Sequence, residues 1–409
     1  MGEVLTIVYL FYMFLALYFL LIFILTFIKN KNEMFAVPSV KKNYTLSIVI
    51  PAHNEEDSIR GTVESVLNSS YNNIAEVIIV TNACTDNTLR ISKELARKYK
   101  KIRIIDTSIP SKANALNEAI KIAKGELIAV VDADSYPDRE AINSMIGFFQ
   151  DEKVGAVTTR VQVRDSDNFI RKMQSIEYKV IAFTRKLLGF LDAIYVTPGP
   201  LAIYRKSALT HIGGFDTKNM TEDIEATWHL VYEGYKIRMS FVSRVTTVSP
   251  NTVKKWFKQR IRWNIGGMQT ILKYRKSFFK RGMLGFFILP FFAFSLILGI
   301  IGLSIFIYRL LRRLLLSYLS TKLSIEAQTA ILKFQDINLN PSILNFFGVI
   351  LFVLGLIFIF YSLKIVNNKF NEKDGIFNVF FYSLFYITVY PIILITSIYK
   401  FIKGKYTWR

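Results

Sequence analysis

The chain has 409 residues, 52% of them hydrophobic, which excludes a protein soluble throughout and leaves length for one large domain beside several membrane spans. Its 52 Lys and Arg against 31 Asp and Glu give a net charge of +21. The excess gathers beside apolar runs, at Lys29, Lys31, Lys41, Lys42, Lys254, Lys255, Lys258, Lys280 and Arg281, and suits an anionic membrane surface; with no helix-turn-helix, RNP or zinc-finger pattern, no nucleic-acid partner is expected.

In chain order, the first element is an uncharged run from Val4 to Ile28. It is longer than the apolar region of a signal peptide and lacks a cleavage site, so residues 1–30 read as a retained transmembrane anchor. Residues 31–250 have ordinary globular composition, with strand and helix patterns in alternation. Leu46 to Pro51, Val77 to Val80, Ile102 to Ile105 and Leu127 to Val131 are short β-branched runs expected to form buried, mostly parallel strands. Between them, Asn54 is placed to cap a helix running through Ile59 towards Leu67, Thr85 or Asp86 to cap Thr88 to Tyr99, and Ser111 precedes a helix over Ala113 to Ala123. This is the pattern of a doubly wound α/β sheet, whose ligands bind at the carboxyl ends of the strands.

Phe169 to Leu191 and Val253 to Tyr274 mix apolar stripes with Lys and Arg. Both are expected to be amphipathic helices on the membrane face, the first equally an ordinary helix packed on the sheet. Residues 251–282 form the interface segment, and 283–409 hold three further spans, Met283 to Tyr308, Ile343 to Leu363 and Ile376 to Tyr399. One cysteine, Cys84, excludes an internal disulfide and fits a reducing compartment; the three histidines lack zinc-site spacing.

Three constellations carry chemistry. Val130-Val131-Asp132-Ala133-Asp134 ends an apolar strand in two carboxylates placed on one side by alternation, ahead of a turn at Ser135-Tyr136-Pro137. Hard divalent ions take oxygen ligands, so Asp132 and Asp134 suit Mg²⁺ or Mn²⁺ held against a diphosphate; alone, such a pair more often marks a solvated turn. Thr221-Glu222-Asp223 opens a helical pattern. It reads as a helix cap, or as a site where Asp223 takes a proton from an acceptor hydroxyl. Gln259, Arg262 and Trp263 share a helical face, suited to stacking a sugar on the indole and gripping phosphate with the guanidinium, or to an interfacial anchor.

These motifs, in this order and flanked by spans, resemble the family 2 glycosyltransferases with a GT-A fold, in particular the membrane-bound synthases of hyaluronan, chitin, cellulose and poly-N-acetylglucosamine. The resemblance covers residues 45–275. It implies that Pro51, His53, Asn54 and Glu55 belong to the nucleotide pocket and that Asp132 and Asp134 bind Mn²⁺ or Mg²⁺ with the diphosphate. It further implies that Asp223, beside Thr221 and Glu222, is the catalytic base and that Gln259, Arg262 and Trp263 line the acceptor and diphosphate region. Lys112, Asn114 and Asn117 resemble a nucleotide-contacting segment that adds to Asp132 and Ala133, while Gly199-Pro200 through Arg205 and Gly213-Gly214-Phe215 resemble loops around the acceptor. One departure stands out: the family's Asp-Asp-Gly-Ser after the second strand reads Thr81-Asn82-Ala83-Cys84 here, leaving Asn82 to meet the base through its amide.

The expected activity is inverting transfer of a sugar from a nucleotide donor, with uridine as the base, to a growing β-linked polysaccharide. A non-processive glycolipid enzyme acting on ceramide, diacylglycerol or a polyprenyl phosphate is the alternative, and a catalytically silent sugar-binding protein another; a transporter would need ionisable groups within the spans, which none contains. Four spans are few for a polysaccharide channel, which a second copy or re-entrant helices would complete. Lys29 and Lys31 place the catalytic domain on the cytoplasmic face of the cell membrane, among its lipids. Simple crossing would then put Lys400, Lys403, Lys405 and Arg409 outside, against the positive-inside tendency. Either the last run, with Pro391, does not cross simply or Met283 to Leu319 turns back; the closing Tyr406-Thr407-Trp408-Arg409 resembles tails that fold against the active site and favours an inside end.

Overall fold

The structure, a computed structural model, describes residues 2–326, 343–367 and 375–404. The closing Tyr406 to Arg409 segment lies outside the described residues.

Leu46 to Ala52, all buried, forms β1 at the centre of an eight-stranded sheet. With β2 (Ile74–Asn82), β3 (Ile102–Thr107) and β4 (Leu127–Val130) it builds a parallel half in which β1 pairs with both β2 and β4. The other half comprises β5 (Ser135–Pro137), β6 (Val154–Val163), β7 (Ala202–Arg205) and β8 (Lys236–Thr247), and the order across the sheet is β3-β2-β1-β4-β7-β6-β8-β5. There β7 runs antiparallel to both β4 and β6, β5 antiparallel to β8, and β6 parallel to β8. The chain direction reverses where β4 meets β7, and ligand crevices open at the carboxyl ends of strands beside such switch points.

The helix starts refine two expectations. α2 (Ile59–Leu67) begins later than Asn54, which instead takes a left-handed φ of 53° and accepts the Thr85 N–H through Oδ1 at 2.8 Å. Asparagine tolerates that conformation, so the residue ties two loops together rather than capping a helix. Ahead of α3 (Thr88–Lys98) the capping acceptor is Asp86, which receives the Thr88 N–H at 3.0 Å. Ser111 caps α4 (Lys112–Ile122) by accepting from Asn114 N–H at 3.3 Å. Ser135-Tyr136-Pro137 is strand β5 and not a turn: the turn lies earlier, closed by Ser135 N–H on the Asp132 carbonyl at 3.0 Å, so the two aspartates sit in it rather than on a strand.

Past the short α5 (Asn143–Ile146), α6 (Phe169–Phe190) packs between the sheet and the apolar helices. One side meets the sheet, where Lys186 donates to the Met239 carbonyl at 3.2 Å. The other meets apolar helices: Phe183 lies 5.7 Å from both Phe27 of α1 (Gly2–Asn30) and Phe358 of α11 (Ile343–Asn367). After α7 (Lys206–His211), α8 (Glu222–Tyr232) carries the acidic motif and α9 (Val253–Tyr274) the Gln-x-x-Arg-Trp motif. A buried ion pair between Arg260 of α9 and Glu177 of α6 joins those two helices.

Among the described residues, four helical segments are long and apolar enough to cross a membrane: Thr6–Glu33, Leu284–Gly302, Gly348–Asn367 and Ile376–Ile402. α10 (Leu289–Glu326) is uninterrupted, so the stretch from Met283 to Leu319 does not turn back. α12 (Ile376–Ile402) continues through Pro391, as membrane helices allow. It stays against α9 along its length: Phe385 lies 5.2 Å from Trp256, Tyr390 donates to Asn264 at 3.2 Å, and Ile393, Ile398 and Phe401 join the cluster of Ile261, Ile265 and Met268.

Candidate active site

The loops after β1, β2 and β4 converge with the starts of α4 and α8 and one face of α9. Around them lies a cavity of about 420 Å³ whose lining includes Lys112, Asp132, Asp134, Gly199, Thr221, Glu222, Asp223, Gln259, Arg262 and Trp263. Residues scattered over more than a hundred positions of sequence thus share one space. Pro51, His53, Asn54, Glu55, Asn82 and Ala133 do not line it; they shape the neighbouring loops. Pro51 continues the pairing of β1 with Val80. His53 Nδ1 lies 2.5 Å from the Asn82 carbonyl, and the Ala133 carbonyl accepts from Thr62 Oγ1 at 2.7 Å.

Asn82 is 2% exposed, and its Oδ1 accepts the Ser111 N–H at 3.3 Å. Its side chain therefore braces the entry to α4. The next residue, Ala83, has a left-handed φ of 47°, a conformation glycine adopts without strain. Cys84 follows, half-buried, with its thiol 3.4 Å from the Ala52 carbonyl. Asn117 faces away from the loops: it clasps Phe215, donating to its carbonyl and accepting its N–H, both at 2.8 Å.

Charge is balanced tightly at the carboxyl end of β4. Lys112 Nζ sits 2.5 Å from Asp132 Oδ1 and 3.1 Å from Glu222 Oε1. Burial alone would lower the Lys112 pKa, but Asp132, Glu222 and Asp223 outweigh it and hold the ammonium charged. Burial likewise opposes ionisation of Glu222, yet Lys112 and Arg262 keep its carboxyl below the usual range. Asp134 and Asp223 go the other way. Burial, then the neighbouring carboxylates Asp132 and Glu222 respectively, push each up to about 6. Burial, with Asp134 and Asp132 nearby, lifts Glu55 to about 7.

Thr221 makes no capping hydrogen bond to α8, and only the backbone N–H of Ile224 bonds Asp223 Oδ1, at 2.9 Å. The acidic start of α8 is therefore open to the cavity. Two glycines permit the close packing: a Cβ on Gly199 would lie 2.5 Å from Asp132 Oδ2 and 2.6 Å from Lys112 Nζ, and one on Gly266 would lie 2.0 Å from Thr221 Oγ1.

Among the described residues no group of three or more His, Cys, Asp or Glu is arranged for a metal ion. Asp132 and Asp134 supply two hard carboxylates in one turn, the complement a Mg²⁺ or Mn²⁺ ion uses when diphosphate oxygens and water complete its shell. The donor set thus fits an ion shared with the substrate.

Several lining groups carry no motif: Tyr178 and Arg185 of α6, Tyr195, Trp228 of α8, Asn264 of α9, Phe292 of α10 and Tyr390 of α12. Arg260, beside the motif, is buried against Glu177 and lies 3.9 Å over the Trp263 ring, orienting the indole. A cation within a helix at a sheet–membrane junction was the only available signal for these, and its partners lie too far away in sequence to be read.

A parallel half continued by a mixed half, with paired aspartates after β4, is the GT-A architecture of glycosyltransferases. Residues 43–266 match the family described as Glycosyltransferase like family 2, and the chain belongs to that family. Among its relatives, a poly-beta-1,6-N-acetyl-D-glucosamine synthase of Staphylococcus epidermidis is 33% identical over 271 residues, 65% of each chain. The synthase of the same name from Staphylococcus aureus (strain MSSA476) is 31% identical over 230 residues, 56% of each chain. The chain thus matches less than two thirds of the length of these relatives. Among solved structures, the mannosyltransferase PcManGT from Pyrobaculum calidifontis, in complex with GDP-Man and Mn²⁺, superposes with a TM-score of 0.59 over 99% of this chain and all of that one. At 18% identity this is a likeness of fold.

Proposed function

We propose that the protein transfers a sugar from a UDP-sugar to the non-reducing end of a growing β-linked polysaccharide, with inversion at the anomeric carbon. The observation that carries this is Asp223, its carboxyl raised to about 6 and facing the same cavity as Asp132, Asp134 and the Gln-x-x-Arg-Trp face. A base with that pKa is ionised at neutral pH yet basic enough to accept a hydroxyl proton in the transition state.

In this reading Asp223 takes the proton as the acceptor oxygen bonds to the anomeric carbon. The bond from that carbon to the diphosphate breaks on the opposite side, and its electron pair leaves with the phosphate. Lys112 and Arg262 face the charge that develops there, and Trp263, held by Arg260, supplies a surface for the acceptor ring. A divalent ion on Asp132 and Asp134, when bound, neutralises part of the diphosphate charge. The relatives' names support an N-acetylglucosamine donor and a polymeric product.

A cytoplasmic catalytic domain satisfies the donor requirement. The packing of α12 along α9 supports a last segment that runs against the domain and leaves Lys400 and Lys403 on the same side. A glycolipid product is the second reading, favoured by the small number of apolar helices. Purified protein incubated with a panel of nucleotide sugars, with and without Mn²⁺, decides the matter. Released UDP and long products are expected; a single addition to lipid would replace the first reading by the second, and full transfer by Asp223→Asn would remove the proposed base.

A further inference from the structure

Among the described residues, Arg185 is a strongly buried cation of the cavity that the transfer chemistry leaves unused. It is 7% exposed, lines the cavity from α6, and makes no hydrogen bond or ion pair among the described residues. Its neighbours in the same region are satisfied: Arg260 pairs with Glu177, and Lys186 donates to a backbone carbonyl. Burying a guanidinium with no hydrogen-bonded partner is costly, so a fold that keeps one at a cavity wall holds it for a group that arrives.

Its surroundings place that group. The groups that act electrostatically on Arg185 are the neutral hydroxyls of Tyr195 and Tyr178 and the carboxylate of Asp223, the proposed base; the metal-side aspartates are not among them. Tyr195 packs 4.5 Å from Phe292, at the start of α10 where the apolar helices begin, and Trp228 packs 5.8 Å from the same ring with its indole N–H buried and unpartnered. This end of the cavity therefore offers hydrogen-bond donors facing an apolar mouth, across the base from the diphosphate side.

We infer that Arg185 binds an oxyanion carried by the acceptor, presented from the membrane-facing end of the cavity while the attacking hydroxyl lies at Asp223. A guanidinium fork grips a carboxylate or a phosphoryl group with two parallel hydrogen bonds, and Trp228 Nε1 supplies a further donor. The inference rests on the glycosyl-transfer reading and narrows its acceptor. Two sources share this chemistry: a uronate within the growing chain, or the phosphate of a lipid carrier.

The test uses full-length protein in nanodiscs with three acceptors: a neutral β-linked oligosaccharide, the same oligosaccharide bearing a uronate, and a polyprenyl phosphate. An anionic acceptor is expected to exceed the neutral one at least tenfold in kcat/KM, and the one preferred identifies the source. Arg185→Gln should raise KM for that acceptor tenfold or more while the donor KM and the rate of nucleotide-sugar hydrolysis stay unchanged; Arg185→Lys should restore part of the loss. Equal use of the neutral acceptor, or a change in donor KM as large as that in acceptor KM, would overturn the assignment. No turnover with any nucleotide sugar would instead overturn the transfer reading, and the inference would then be decided by whether quenching of tryptophan fluorescence by the anionic acceptors depends on Arg185.

Discussion

The two ends of the cavity are built by different means. The end proposed to bind the donor lies in short loops after parallel strands, and its charges are paired at short range: Lys112 touches both Asp132 and Glu222. The end proposed to bind the acceptor is assembled from the sides of long helices, with rings of Tyr195, Trp228 and Phe292 around a guanidinium that makes no hydrogen bond or ion pair among the described residues. An ion-paired end keeps its shape before the substrate arrives, whereas an unpaired one gains most of its stability from what it binds. Pre-organisation for chemistry and selectivity for a partner are thereby separated within one cavity.

The largest expected effect breaks the junction of the two ends. Asp223→Asn should reduce transfer by about 10³-fold, within the usual range for removing a general base, while nucleotide binding persists; steady-state kinetics beside a nucleotide titration measures both. Gly199→Ala strikes the donor end alone. Its new methyl would meet Asp132 and Lys112 at 2.5 to 2.6 Å, and the resulting displacement of the aspartate should cost about 10²-fold in kcat with little change in melting temperature.

Arg260→Gln tests the support of the acceptor end, because it strands the Glu177 carboxylate in the interior. A destabilisation of about 3–5 kcal/mol is expected by thermal or denaturant unfolding, and Glu177→Met/Arg260→Met should recover much of it. On the pH axis, a carboxyl raised to about 6 loses its base form as pH falls through 6 rather than through 4. The acid limb of kcat/KM should bend near pH 6. The smallest effect is in the donor loop: Ala83→Gly relieves a left-handed alanine and should raise stability by about 1 kcal/mol at most.

Much of the donor end was legible in the sequence, since β1 to β4 are β-branched runs and the chemistry follows their carboxyl ends. The mixed half was not. β5 and β7 are only 3 and 4 residues long, and β6 pairs with β8 through register shifts between Val154 and Ala156 and between Thr158 and Arg160 that blur any period-two pattern. Asn54 misled because the property that makes asparagine a good cap, a short polar side chain that bonds nearby backbone, also suits it to a left-handed turn. At the acceptor end, Gln259, Arg262 and Trp263 were visible by spacing on one helix. Arg185, Glu177 and Trp228 owe their positions to helices that meet only in the fold, and no local pattern distinguishes a buried arginine from a solvated one.

The loop that holds Ala83 also carries the only sulfhydryl of the chain. Cys84 is half-buried at the mouth of the donor loops, so the native sequence already contains a single-site reporter there. A small maleimide would label one position, and protection by UDP would give nucleotide occupancy in a membrane preparation without engineering the enzyme.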